Sequence, residues 1–187
     1  LAGKSSGHIH ATGGRATDGN AIGQGGGGRV AVYLTGETAD FDDFAGTITA
    51  FGGGKVGGCG SVYLETASDG EGGGRVIYDA GSTADKPSMT TFPAELDGEK
   101  YVRLADARLE LKSVRVVDLA HEMIVRDVAA LNAQTKLNLN DNVLRIRTTT
   151  HRVRGSATQI SGLGGLSAGA NGQGRIVWGE GLLIFVR

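Results

Sequence analysis

Apolar and polar residues alternate in steps of two over many short stretches of this sequence, the period that builds a strand with one buried face. One unit recurs: a glycine, a small or charged residue, then alternating apolar positions. It occurs as Gly28-Arg29-Val30-Ala31-Val32-Tyr33, Gly60-Ser61-Val62-Tyr63-Leu64, Gly74-Arg75-Val76-Ile77-Tyr78 and Gly174-Arg175-Ile176-Val177-Trp178. A second unit occurs twice, as Gly7-His8-Ile9-His10-Ala11-Thr12-Gly13-Gly14 and Gly46-Thr47-Ile48-Thr49-Ala50-Phe51-Gly52-Gly53. Each predicts a strand of about five residues bounded by glycine turns. The middle third keeps the period without the glycines, in Tyr101-Val102-Arg103-Leu104, Arg108-Leu109-Glu110-Leu111-Lys112, Val114-Arg115-Val116, Glu122 to Arg126, Lys136 to Asn140 and Val143 to Arg147. Asp118 to Asn132 comes nearest to a helical pattern, and strands are the better reading there too.

Many short strands with unequal turns suit a barrel, a sandwich or a β-helix. The sequence lacks Asn-Gly or Asp-Gly turns flanked by strands of equal length, which argues against hairpins. The expectation is therefore an all-β fold, a right-handed parallel β-helix (solenoid) of roughly eight coils, with roughly 20 to 25 residues per coil and about 4.8 Å between coils. At 187 residues the chain is read as one domain, 1–187. With Leu1 in place of an initiator Met and no signal peptide, the domain is expected to come from a larger multidomain protein.

Composition sharpens this picture in one respect. Of the 33 glycines, 23 lie in residues 1–82, one in 83–154 and 9 in 155–187, so two kinds of backbone alternate along the chain. The formal net charge of -1 and an aromatic share of 5% give no basic, stacking surface, which excludes nucleic acid as the expected partner. No run approaches the roughly 20 apolar residues of a membrane span. Cys59 is the only cysteine, so there is no internal disulfide, and a buried inert thiol is expected.

The glycine run before Arg29-Val30-Ala31-Val32-Tyr33, followed by Gly46-Thr47-Ile48-Thr49-Ala50-Phe51-Gly52-Gly53 and Gly60-Ser61-Val62-Tyr63-Leu64, resembles the glycine-rich repeats of very large secreted bacterial proteins. It is also similar in type to a xylan-binding carbohydrate-binding module of parallel β-helix fold. The likeness covers residues 7 to 81, recurs near the end and skips the middle third. It implies a secreted bacterial protein, extracellular or at the cell surface. It further implies a non-catalytic module that holds a plant cell-wall polysaccharide such as xylan near an attached catalytic domain.

Anchoring each unit on its glycine predicts which side chains face out. Val30, Val32 and Leu34 oppose Arg29, Ala31 and Tyr33; Val62 and Leu64 oppose Ser61, Tyr63 and Glu65. Tyr33, Tyr63 and Tyr101 are then the candidate stacking rings, with Arg29, Glu65 and Arg75 as hydrogen-bonding partners around a sugar. Tyr78 and Trp178 turn inward. In the middle third Val102, Leu104, Leu109, Leu111, Val114, Val116, Leu144 and Ile146 are expected inside, and Arg103, Glu110, Lys112, Arg115, Arg145 and Arg147 outside.

Chemistry is sparse. No cofactor and no metal is expected. Asp40, Asp42 and Asp43 are the calcium candidates, because a hard cation needs several carboxylate oxygens, but an exposed acidic turn is the stronger reading. His8 and His10 point the same way without a third ligand nearby in sequence. Asp79, Asp106, Glu110 and Asp118 form no recurring carboxylate pair, so no catalytic residue is assigned and the chain is read as not an enzyme. The alternatives are a structural stalk or adhesin segment of a bacterial surface protein and, behind it, a polysaccharide lyase or glycosidase.

Overall fold

The computed structural model describes residues 7–15, 24–54, 57–81, 89–91, 107–112, 116–119, 122–129, 131 and 133–179. Within them the chain is mostly β. The strands are β1 (His8–His10), β2 (Arg29–Leu34), β3 (Thr47–Thr49), β4 (Ser61–Thr66), β5 (Arg75–Asp79), β6 (Met89–Thr91), β7 (Arg108–Lys112), β8 (Val116–Asp118), β9 (Met123–Val125), β10 (Asp127–Ala129), β11 (Lys136–Asn138), β12 (Val143–Ile146), β13 (Gly165–Ser167) and β14 (Arg175–Trp178). Among the described residues, helical geometry is confined to one 3-10 turn, Ala67–Asp69. The strands form sheets of two, five, four and three members, and none closes into a barrel.

Two pairs of the recurring sequence units lie directly on one another. β1 pairs in parallel with β3, setting His8 beside Thr47 and Ile9 beside Ile48. β2 pairs in parallel with β4, from Arg29 beside Ser61 to Leu34 beside Thr66. The glycine segments between them stack as well: the Gly13 N–H donates to the Phe51 carbonyl and the Gly27 N–H to the Gly58 carbonyl, both at 2.9 Å. Equivalent residues are thus neighbours in successive layers, and backbone groups find their partners in the adjacent layer. At Gly53 and Gly60 the glycine is needed for this approach and not for a turn. Neither has a positive φ, yet a methyl group on them would lie 1.9 Å from the Gly14 oxygen and 1.7 Å from the Gly28 oxygen.

Three further ladders run in parallel through the rest of the chain. Arg108 pairs with Asp127, Val116 with Lys136 and Met123 with Leu144, so each strand's neighbour lies about 20 residues on. Lys136 then pairs with Gly165 and Ile146 with Trp178, about 30 residues on. Alternate residues of all three sheets enter one core: Tyr78, Leu109, Leu111 and Val128 from the first, Val117 and Leu137 from the second, Val125, Leu144 and Ile146 from the third. Like stacks on like, as in Val76–Leu109–Val128 and Val117–Leu137–Leu166. Each fully buried aliphatic side chain in such a row stabilises the fold by about 1.5–3 kcal/mol relative to exposure. The stretch 118–132 contains β9 and β10, with Met123 and Val125 buried around an exposed Ile124, a period of two.

One connection between named strands breaks the parallel order. β4 and β5 form an antiparallel hairpin through Ala67–Asp69 and the positive-φ residues Gly70 and Gly72. Residues directly opposite each other in such a pair share a face. Tyr63 opposes Val76 and Val62 opposes Ile77, so the inner face of β4 is not the inner face of β5. The five-stranded sheet consequently carries two cores. Val76 and Tyr78 belong to the large one, with Tyr63 packed against it, whereas Val62 and Leu64 join Ala50, Val30, Val32 and Ile77 in a small one.

Three expectations change. β4 and β5 make a hairpin that the sequence reading did not anticipate, because its connection, although it contains Asp69-Gly70, is eight residues long and not the two-residue loop that this dipeptide marks. Glu110 is only 7% exposed, held by Lys112 Nζ at 3.4 Å and Arg75 Nη1 at 3.8 Å. Tyr63, expected to face out, is half-buried against the large core; at β8 Val117 and Leu119 are buried, and the side chain of Val116 lies outside the described residues. Leu109, Leu111, Leu144, Ile146 and Tyr78 are buried as expected, and Trp178 packs against the large core with its indole N–H donating to the Ala157 carbonyl at 3.1 Å. Cys59 is buried in the same core. Val102, Arg103, Leu104, Val114 and Arg115 lie outside the described residues.

Candidate functional site

The stacking of Gly28 over Gly60 leads directly into the β2–β4 register, and that register assembles the candidate face. Arg29, Ala31 and Tyr33 are exposed at alternate positions of β2, and Ser61, Tyr63 and Glu65, on the same side of β4, are half-buried, with Tyr63 packed against the large core. Tyr33 stands directly beside Glu65 and diagonally from Tyr63. The two rings are 5.6 Å apart between centroids and tilted by 57°, within the range of favourable aromatic pairs. Tyr33 is 59% exposed, the most exposed large hydrophobic side chain among the described residues.

The lower ring is held by the hairpin. The Tyr63 hydroxyl donates to Glu65 Oε2, the Gly72 N–H donates to the same oxygen at 2.8 Å, and the Gly74 N–H donates to the Tyr63 hydroxyl at 3.3 Å. Burial pushes the Tyr63 phenol well above the ordinary tyrosine range, and the hydrogen bond to Glu65 adds to it. Tyr63 therefore stays a neutral donor, and Glu65 is a carboxylate anchored at one oxygen beside the exposed Tyr33 ring. Such a ring offers a flat apolar surface to sugar C–H groups, and the carboxylate accepts hydrogen bonds from hydroxyls at its edge.

The remaining candidates separate. Arg29 is exposed on this face, near the start of β2. Arg75 is not brought to it: Arg75 opposes Leu64, on the other side of the sheet, and pairs with Glu110. Tyr101 and Asp106 lie outside the described residues. Asp40, Asp42 and Asp43 are exposed in the loop after β2, where the Asp42 N–H donates to Asp40 Oδ1 at 2.9 Å, a local turn contact. Among the described residues no three His, Cys, Asp or Glu side chains converge as a metal would require. His8 Nδ1 lies 2.7 Å from Thr47 Oγ1 in the neighbouring layer.

Sequence reasoning passed over two carboxylates. Asp127, 8% exposed, accepts from the Thr148 hydroxyl and the Val128 N–H, both at 2.8 Å. Asp141 accepts from the backbone of Asn171 and Gln173. Both are engaged in holding adjacent turns together, and a turn signal that could have pointed to them is present for Asp141 alone, in the run Asn140-Asp141-Asn142. Among the described residues no helix is long and apolar enough to cross a membrane. Compared with protein families, characterised proteins and solved structures, the chain shows no match in any of the three.

Proposed function

We propose that the chain is a right-handed parallel β-helix module that binds a plant cell-wall polysaccharide such as xylan without acting on it, and that it keeps an attached catalytic domain near that substrate outside the cell. The observation that carries the binding reading is the exposed Tyr33 ring, packed at 5.6 Å against Tyr63 and beside the anchored Glu65. The solenoid reading is supported by three parallel ladders around one core. One ring and one carboxylate make a weak site, and retention on a polymer comes from several such contacts or several modules acting together.

Affinity gel electrophoresis against soluble xylan, β-glucan, mannan and pectin tests this. Retardation by one polymer is expected, and Tyr33→Ala should weaken it by about five- to tenfold. Unretarded migration with all four would overturn the binding reading. The chain would then be a structural stalk or adhesin segment, which the in-register stacking of β1 on β3 and β2 on β4 favours as a second reading.

A further inference from the structure

We propose that the outer face of the β9–β12–β14 sheet binds a carboxylate-bearing polysaccharide through arginine, at a site separate from the Tyr33 face and independent of it. The first observation is where the charge lies. Residues 142–179 hold five arginines and neither Asp nor Glu, although the whole chain has 20 acidic residues against 19 Lys and Arg. The net charge of -1 therefore conceals a basic segment in an otherwise acidic chain. A polyanion is repelled by most of this molecule and drawn to one part of it.

The fold gathers part of that segment on one surface. Met123, Val125, Leu144, Ile146 and Ile176 are buried, so the residues between them, Ile124, Val143, Arg145, Arg175 and Val177, lie on the outer side of their strands. Arg145 stands between Ile124 and Val177 on the neighbouring strands, and Arg175 stands beside Val143. The two arginines are diagonal neighbours, about 8 Å apart by strand spacing. The backbone ladder continues past β9 and β12: the Arg147 N–H donates to the Val125 carbonyl at 3.0 Å and the Thr148 N–H to the Arg126 carbonyl at 2.9 Å. Arg126 and Arg147 thus come side by side at the corner where this face ends.

Arg145 is also held in one orientation. Its Nε donates to Glu122 Oε1 at 2.5 Å while both side chains stay partly exposed, 35% and 46%. That bond uses one edge of the guanidinium and leaves the two terminal nitrogens as the paired N–H fork that takes a carboxylate bidentately. The surroundings of the arginines select the polymer. The outward residues of β9, β12 and β14 include no aromatic ring, since Trp178 packs against the large core, so a nucleic acid strand has nothing to stack on. A uronate polymer rests the apolar faces of its rings on Ile124, Val143 and Val177 and brings its carboxylates to Arg145 and Arg175.

The test is affinity electrophoresis of the full chain in gels containing polygalacturonate or its fully methyl-esterified, uncharged form. Retardation by the charged polymer alone is expected, and added salt should weaken it. The Arg145→Gln, Arg175→Gln double variant should lose about tenfold in affinity. Arg175→Gln alone, at an exposed position on the terminal strand of the sheet, should lose about threefold, so the test does not hang on the Glu122 pair. Lys136→Gln removes one exposed charge from β11, in another sheet, and should change nothing. Absence of retardation, equal retardation by the esterified polymer, or undiminished retardation of the double variant would each overturn the proposal. Tighter binding to duplex DNA or to vesicles of anionic phospholipid would overturn the assignment to a polysaccharide. Retention that Tyr33→Ala weakens belongs to the first face and retention that the arginine substitutions weaken belongs to this one, so either reading can fail alone.

Discussion

The Asp141 carboxylate accepts the Gln173 backbone N–H at 2.9 Å, reaching from the turn before β12 to the turn before β14. Its oxygens also take the Asn171 N–H at 3.0 and 3.1 Å. Asn140 and Asp141 have φ of 46° and 64°, a left-handed geometry that these two residue types tolerate. A methyl group on Gly169 would lie 2.3 Å from the Asp141 nitrogen, so the two turns touch through their backbones. The backbone hydrogen bond from Gln173, then that from Asn171, lowers the Asp141 carboxyl from its usual range.

A carboxyl with a depressed folded-state pKa stabilises the fold above its unfolded value and loses that contribution as pH falls through the folded value. Asp141→Asn keeps the left-handed backbone and removes the charge. Its melting temperature should fall below the parent's at neutral pH, with the gap closing at pH values below the ordinary aspartate range, about 3.9. Thermal melts of both proteins from pH 2 to pH 7 check this; a gap independent of pH would show that the charge is immaterial.

Tyr78 predicts the opposite, alkaline slope. Burial pushes its phenol far above the ordinary range, so it stays neutral in the folded protein while the unfolded chain ionises near pH 10. Its contribution is complete below the unfolded pKa and disappears as pH rises toward the folded one. Urea unfolding between pH 8 and pH 11 should show stability falling above about pH 10 in the parent. Tyr78→Phe should flatten that fall.

Leu137 and Ile124 separate the core from the surface. Leu137 is completely buried between Val117 and Leu166, and Leu137→Ala should cost about 2–5 kcal/mol. Ile124 is 41% exposed at the centre of β9, and Ile124→Thr should stay within about 0.5 kcal/mol. Urea midpoints at constant slope measure both, and similar costs would contradict the inward parity of β9.

Thr148 holds the buried Asp127 carboxylate across adjacent turns. Thr148→Val keeps the shape and removes the donor, leaving Asp127 only the Val128 N–H among its described partners. A loss of about 1–3 kcal/mol is expected by equilibrium unfolding. The Asp127→Asn, Thr148→Val double variant should lose less than the sum of the two single variants, since both act on one hydrogen bond.

Much of the candidate face was legible before folding. That Tyr33 and Tyr63 share a side of their strands follows from counting in twos from Gly28 and Gly60, because strand parity is a local property. The place of Arg75 was not legible, although it follows its glycine in the same way. The hairpin reverses the chain before β5, and that turn depends on contacts among neighbours: Asp69 accepts from the Thr66 N–H at 2.9 Å, and Glu65 from Gly72 at 2.8 Å. Glu110 was misplaced for a related reason, since its burial is compensated by Arg75 and Lys112 on the same side of the sheet.

By itself the sequence determined most of the described strands, their period of two and the stacking of the Gly7 unit on the Gly46 unit and of the Gly28 unit on the Gly60 unit, since period and repetition are written residue by residue. The tertiary structure alone decided which face of each strand is inside, which glycines are crowded by a carbonyl, and which charges meet across strands. Those outcomes depend on distances between segments far apart in the chain, and they change side with a single hairpin.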